Sequence, residues 1–148
     1  MNSKLYMDID RVLLHTKYVR VPEFAEEFID YVTTHFDCYW LTTHCKGVAN
    51  GPLRYLSQYY DSNVIERLEG IKSTNFDVLK TDAINFDEDF YWLDDSPFNA
   101  ELAVLRQHGC EGRCIVVNLS CQDELRRIKL MLEDCVSFVV KLWAFWNN

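Results

Sequence analysis

Three short apolar runs, each followed at once by polar residues, constrain the fold of this chain more than any other feature. They cover residues 5–7, 38–41 and 90–93, and they lead into Asp8, Thr42 and Asp94. Short continuous apolar runs are typical of parallel strands that are buried on both faces. Because the carboxyl ends of parallel strands meet at one edge of a sheet, the pattern predicts a site at that edge.

Segments with the features of helices separate these runs. Apolar residues at helical spacing predict a helix over residues 22–34, with Pro22 in its first turn. Three later segments are also predicted to be helical, and their markers are Leu53 with Leu56, Ser96 with Pro97, and the capping-box pair Ser120 and Asp123. Residues 64–67 and 114–117 are predicted to be additional strands.

The alternation of strands and helices predicts the fold class. It is typical of an α/β protein, here a three-layer doubly wound (Rossmann-like) parallel sheet with helices on both faces. The length of 148 residues suits a single domain, to which we assign residues 1–148. The intervals between the polar run ends are too short for an inserted cap domain.

Charge and hydropathy narrow the classes of partner. The chain carries a formal net charge of −8, which disfavours binding to extended nucleic acid. No basic segment followed by an apolar core begins the sequence, so we expect a cytoplasmic location. The aromatic segment 136–146 has about half the length that a membrane span needs, so no membrane association is expected. We predict that this segment belongs to the core, with a homo-oligomer contact as the alternative.

The six cysteines do not point to a metal site or to disulfides. Without an export signal, reduced thiols are expected. Cys110, Cys114 and Cys121 form a loose cluster, but their spacing lacks the paired C-x-x-C pattern of most zinc sites. We therefore predict no metal there.

The polar residues at the run ends suit phosphoryl transfer. That reaction needs a nucleophile, a magnesium ion, a donor to the phosphate oxygens and a cation for the developing charge. Asp8 and Asp10 follow the first run, Thr42 follows the second, and Asp94 with Asp95 follows the third. Either Lys80 or Lys72 can supply the cation.

In their order, these motifs resemble those of the haloacid-dehalogenase-like phosphatases, from about residue 5 to residue 118. Residues 8–12 match the first motif, residues 39–42 the second and residues 91–95 the fourth. The third motif is a lysine, and Lys80 is preferred because it lies just before the fourth. A narrower similarity is to short cap-less domains of bacterial and phage proteins, some associated with RNA repair. It rests on residues 40–43, Ala49, Asn50, Leu53 and residues 92–95.

The resemblance implies a role for each residue. Asp8 would attack phosphorus to form an aspartyl-phosphate, and Asp10 would act as general acid and base. Thr42 would donate to a phosphate oxygen, and Lys80 would neutralise its charge. Mg²⁺ would be held by Asp8, the Asp10 carbonyl and Asp94, with Asp95 as a further candidate. The expected substrate is a phosphorylated small molecule, a nucleotide end or a phosphoprotein.

Several alternatives compete with this interpretation. A response-regulator receiver domain has similar residues, but their order along the chain differs from the order found here. A true dehalogenase does not need the acid at Asp10. A catalytically idle binding module that uses the aromatic tail is the alternative from another functional class. Arg11 either touches substrate or faces water, and His44 is expected to be a surface or capping residue rather than a site residue.

Overall fold

The computed structural model describes residues 2–48 and 50–147, so Ala49, which contributes to the narrower resemblance, lies outside the described residues. Its sheet has four parallel strands in the order β2-β1-β3-β4, which confirms the predicted α/β class with a parallel sheet. The strands are β1 (Lys4–Met7), β2 (Asp37–Trp40), β3 (Phe90–Asp94) and β4 (Cys114–Val116).

Five α-helices and two short 3₁₀ turns connect and follow the strands within the described part of the chain. The helices are α1 (Ala25–His35), α2 (Asn50–Leu56), α3 (Ser62–Leu68), α4 (Asn99–Gln107) and α5 (Glu124–Trp146). The 3₁₀ turns cover Lys80–Ala83 and Glu111–Arg113.

Three local predictions differ from the structure. Residues 64–67, predicted as a strand, belong to α3, because Val64 and Leu68 are four residues apart and both face the core. The first helix begins at Ala25 rather than Pro22, since Phe24 has a left-handed backbone with φ of 61°. At α5, Asp123 makes no side-chain cap, and its φ of 56° starts the helix at Glu124.

The strand register brings the polar run ends together. Met7, the last residue of β1, lies opposite Trp40 on one side and Leu93 on the other. Alternate side chains of the sheet pack into two separate apolar clusters. Leu5 belongs to a cluster that includes α1, α3 and α5, whereas Tyr6 packs with Leu105 of α4. Asp8, Thr42 and Asp94 therefore lie at the same edge of a sheet that is buried on both sides.

The aromatic segment 136–146 is the clearest correction to the predicted core. Leu125, Ile128 and Leu132 in the first half of α5 are buried, whereas the large apolar side chains from Phe138 onward are exposed. By helical rise, the 23 residues of α5 extend about 34 Å and the 11 residues of α1, on which α5 packs, only about 16 Å. The second half of α5 therefore runs past its partner. Among the described residues, no helix is both long and apolar enough to cross a membrane.

Candidate active site at the carboxyl edge of the sheet

A lysine joins two carboxylates at the centre of this edge. Lys80 Nζ lies 2.7 Å from Asp8 Oδ2 and 2.5 Å from Asp94 Oδ2. Asp8 follows β1, Asp94 ends β3, and only 2% of Asp94 is exposed to solvent. Asp94 also accepts the backbone N–H of Ser96 at 2.9 Å through its second oxygen. Three residues distant in the sequence thus form one ionic unit.

The charges of this unit stabilise one another. Burial alone would lower the pKa of Lys80, but the neighbouring charges of Asp8 and Asp94 outweigh it and raise that pKa. Lys80 therefore stays protonated at neutral pH. Burial raises the pKa of Asp94, while the charge of Lys80 opposes that rise. The cation is thus the main support for an ionised Asp94.

Glu101 fixes the backbone that carries Lys80. Its Oε2 accepts the N–H of Lys80 at 2.6 Å, and its Oε1 accepts the N–H of Phe98 at 2.8 Å, where α4 begins. The side chain is buried, so both hydrogen bonds are shielded from water. We did not predict this residue, although an acid in the third position of a helix is a known capping signal.

The structure separates the two candidate lysines. Lys72 lies next to Tyr39 at the outer edge of β2, and its Nζ pairs with Asp37 Oδ1 at 2.9 Å. Asp37 is the first residue of β2, at the amino end of the sheet. Lys80, and not Lys72, is therefore the lysine beside Asp8.

Asp10 is held by two side chains from the segment that follows β2. His44 Nε2 and Asp10 Oδ2 are hydrogen-bonded at 3.0 Å, and the Tyr55 hydroxyl donates to Asp10 Oδ1 at 3.0 Å. The two rings stack with centroids 4.3 Å apart. Burial and the neighbouring Asp10 raise the pKa of Tyr55 to about 12, so its phenol remains a donor.

His44, expected to be a surface or capping residue, is partly buried and contacts Asp10. Its backbone is also constrained, because a Cβ on Gly51 would lie 2.2 Å from the His44 carbonyl oxygen. Tyr55 was not predicted either. Its position in α2 gives no sequence signal, because an aromatic residue in a helix is usually part of the core.

A tight turn after β1 separates the roles of Asp8 and Asp10. The N–H groups of Val12 and Leu13 both donate to the Ile9 carbonyl, at 3.1 and 2.8 Å, and Arg11 has a left-handed φ of 59°. Ile9, Val12 and Leu13 are buried, which anchors the turn in the core. Asp8 is consequently directed towards Lys80, and Asp10 towards His44.

Thr42 lies at the same edge but is not joined to this unit. It is buried, and its Oγ1 accepts the N–H of His44 at 3.4 Å. Among the described residues, no hydrogen bond links Thr42 to Asp8. Its role as a phosphate donor stays a prediction.

Three carboxylates of the site could share a metal ion. One oxygen each from Asp8, Asp94 and Asp95 lies within 4.8 Å of the others. The Asp10 carboxylate is not in this group, because His44 and Tyr55 engage it. Hard oxygen ligands of this kind fit Mg²⁺. Three ionised carboxylates, with the Lys80 ammonium and the Arg11 guanidinium 3.4 Å from Asp95, would leave one excess negative charge, which favours a bound cation.

No family model matches this chain, and no curated protein matches it in sequence. The residues of the site and the order of their motifs are therefore the grounds on which a function can be assigned.

Proposed function

We propose that this chain is a magnesium-dependent phosphomonoester hydrolase of the haloacid-dehalogenase-like type. The observation that carries the proposal is the Asp8–Lys80–Asp94 unit, in which one buried ammonium joins a carboxylate from each of two neighbouring strands. A nucleophile, a charge-neutralising cation and a set of metal ligands are thereby within reach of one phosphoryl group.

In the first step, Asp8 attacks the phosphorus atom of the substrate. A bond forms between an Asp8 carboxylate oxygen and phosphorus as the bond from phosphorus to the leaving oxygen breaks. The Ile9 N–H donates to Asp8 Oδ1 at 2.8 Å and Lys80 approaches Oδ2, so both oxygens are oriented before substrate arrives. Lys80 then compensates charge on the transferred group.

Asp10 moves the protons in both steps. In its protonated form it gives a proton to the leaving oxygen, and as a carboxylate it then accepts a proton from the attacking water. That water displaces Asp8 from phosphorus, which releases inorganic phosphate and regenerates the enzyme. The contacts with His44 and Tyr55 hold the Asp10 carboxylate in one orientation for both transfers.

A magnesium ion suits the acidic ligands of this site. Asp8, Asp94 and Asp95 would hold it, together with the Asp10 backbone carbonyl. When bound, Mg²⁺ would neutralise phosphate charge and so reduce repulsion between the substrate and Asp8.

The proposed fold assignment is a three-layer, doubly wound domain without a cap. It is supported by the two apolar clusters, one containing α1, α3 and α5 and the other containing Leu102 and Leu105 of α4. With no cap over the cleft, the leaving group would contact the loops at the carboxyl edge itself.

Turnover of an aryl phosphate with and without Mg²⁺ tests the proposal. We expect magnesium-dependent release of phosphate, and Asp8→Asn should reduce kcat by roughly 10³-fold or more, because the nucleophilic atom is lost. Asp87→Asn is the matched control, since Asp87 is an exposed acid before β3, at the opposite edge. An unchanged rate in Asp8→Asn would remove Asp8 from the nucleophile role.

Thermal unfolding tests the metal ligands without requiring turnover. Mg²⁺ that binds only the folded state should raise the Tm of the wild type, and Asp94→Asn should shrink that increase. Asp87→Asn again serves as the control. An increase of equal size in Asp94→Asn would exclude Asp94 from the metal site.

The exposed aromatic residues of α5 favour a second candidate function, that of a binding module without catalysis. Phe138, Trp143 and Trp146 are more than half exposed, which is unusual for large apolar side chains on one helix. The same phosphatase assay separates the two candidates, because a binding module would release no phosphate at any magnesium concentration.

A further inference from the structure

Beside the acidic site lies a cavity with the opposite charge. It has a volume of about 810 Å³, within the range of pockets for small molecules. One wall is the hairpin over residues 15–20, closed by the His15 N–H donating to the Arg20 carbonyl at 3.0 Å. The other wall is the segment 116–120 after β4, and Arg11 and Asp95 lie between the two walls.

The cavity is basic although the protein is acidic. Its lining contains Arg11, Lys17 and Arg20 but only one acid, Asp95. Burial and the charge of Arg20 lower the pKa of His15, so His15 adds no positive charge at neutral pH. The lining therefore has a net charge of +2 (three cations minus one carboxylate) in a chain of net charge −8.

Two of these cations form no salt bridge within the described part of the chain. Arg11 Nη1 lies 3.4 Å from Asp95 Oδ2, but Lys17 and Arg20 form no salt bridge with any described residue. Arg20 Nη1 donates only to the Lys17 carbonyl, at 3.3 Å. Unpaired cations that face a concave surface favour an anionic ligand.

The cavity adjoins the atoms that would receive the phosphoryl group. Asp95 lines it and is also one of the three carboxylates that lie within 4.8 Å of one another at the site. A phosphomonoester bound at Asp8 would thus extend its leaving group past Asp95 and Arg11 towards Lys17 and Arg20. The exposed ring of Tyr18 lies on the same wall, with Lys17 Nζ over one face at 6.0 Å from its centroid.

We propose that this cavity binds a second phosphate group of the substrate, so that the substrate is a small bisphosphorylated molecule. The inference rests on the proposed hydrolase function and specifies its substrate class. The shared chemistry is a phosphate on the leaving group, which can belong to a nucleoside or to a sugar. Tyr18 favours the nucleoside, because a base can stack on its ring.

Matched substrate pairs test the inference. The first pair is adenosine 3′,5′-bisphosphate and adenosine 5′-monophosphate, and the second is fructose 1,6-bisphosphate and fructose 6-phosphate. We expect kcat/KM for the bisphosphate to exceed that for the monophosphate by roughly tenfold or more in at least one pair, since two phosphate contacts are added. The pair with the larger ratio identifies the source of the second phosphate.

Substitutions that remove the cations of the cavity test whether the cavity causes the preference for the bisphosphate. In the double variant Lys17→Gln and Arg20→Gln, the ratio should fall to near one. The double variant Lys141→Gln and Arg54→Gln loses the same charge from exposed positions outside the cavity and should keep the wild-type ratio. A wild-type ratio near one in both pairs, or a ratio that survives the Lys17 and Arg20 substitutions, would overturn the inference.

A binding measurement distinguishes failure of this inference from failure of the hydrolase proposal. Calorimetry with Asp8→Asn gives dissociation constants for the same four compounds without turnover. If no compound is hydrolysed, the proposed function fails, and the ratio of dissociation constants still decides whether the cavity binds a second phosphate. Equal affinities within each pair would count against the cavity, whatever the activity.

Discussion

At the carboxyl edge of the sheet the acidic residue Asp94 is 2% exposed, whereas at the end of α5 the aromatic residues Trp143 and Trp146 are 69% and 80% exposed. Asp94 is buried because Lys80 and the Ser96 N–H satisfy its oxygens. Trp143 is exposed because α5 has run past the helix on which it packs. Whether these side chains are buried thus depends on neighbouring groups that can pair or pack with them, rather than on their hydropathy.

The largest effect is expected from removing the Asp10 carboxylate, whose oxygens contact His44 and Tyr55. Asp10→Asn should slow hydrolysis by roughly 10²- to 10⁴-fold for substrates with poor leaving groups, because those need the proton most. Esters of increasing leaving-group pKa measure this dependence. Melting curves should show that the Asp10→Asn variant is folded, since the lost activity is due to proton transfer and not to unfolding. An equal loss across all leaving groups would remove Asp10 from the general-acid role.

The buried half of α5 should carry the largest effect on stability. Ile128→Ala is expected to lower the free energy of unfolding by about 2–5 kcal/mol, because it leaves a cavity among fully buried side chains. Urea titration followed by circular dichroism measures the change. A value below about 1 kcal/mol would mean that α5 is not firmly docked.

Glu101 tests whether a buried acid can be essential without touching substrate. In Glu101→Gln an amide N–H₂ would face the N–H of either Lys80 or Phe98, so the free energy of unfolding should fall by about 1–3 kcal/mol. kcat should fall as well, because in either orientation the side chain no longer links the Lys80 backbone to the start of α4. The control is Glu111→Gln, whose exposed pair with Arg106 should contribute no more than about 1 kcal/mol. Equal changes in both variants would contradict the positioning role.

The exposed half of α5 should give the smallest effect. Trp143→Ala is expected to change the free energy of unfolding by no more than about 0.5 kcal/mol, because the ring is mostly in solvent already. Turnover should also stay at the wild-type rate. A loss of several kcal/mol would show that Trp143 is covered in solution.

The sequence alone was sufficient for the strands that build the site. Residues 5–7, 38–41 and 90–93 all overlap observed strands, because buried parallel strands leave a continuous apolar run with a polar end. Residues 64–67 were assigned wrongly, since four residues are too few to distinguish a strand from one helical turn. The aromatic tail was misjudged because hydropathy carries no information about where a neighbouring helix ends.

The site was predicted less completely than the sheet. Asp8, Asp94 and Lys80 were expected together and lie together. Glu101 could have been found from its capping position in α4, where it accepts the Phe98 N–H. Tyr55 could not, because it acts through a hydrogen bond across a long sequence separation. Such contacts leave no local pattern in the residues around them.

The strand order has a consequence for how the protein is made. β1 is synthesised before the other three strands of the sheet yet lies inside it, and Lys4 pairs with Phe90, so one edge of β1 stays open until β3 has been synthesised. Unpaired strand edges template aggregation, and pairings this distant in sequence slow folding. In the growing chain, Asp8 therefore lacks its contacts with Lys80 and Asp94 until β3 has been synthesised.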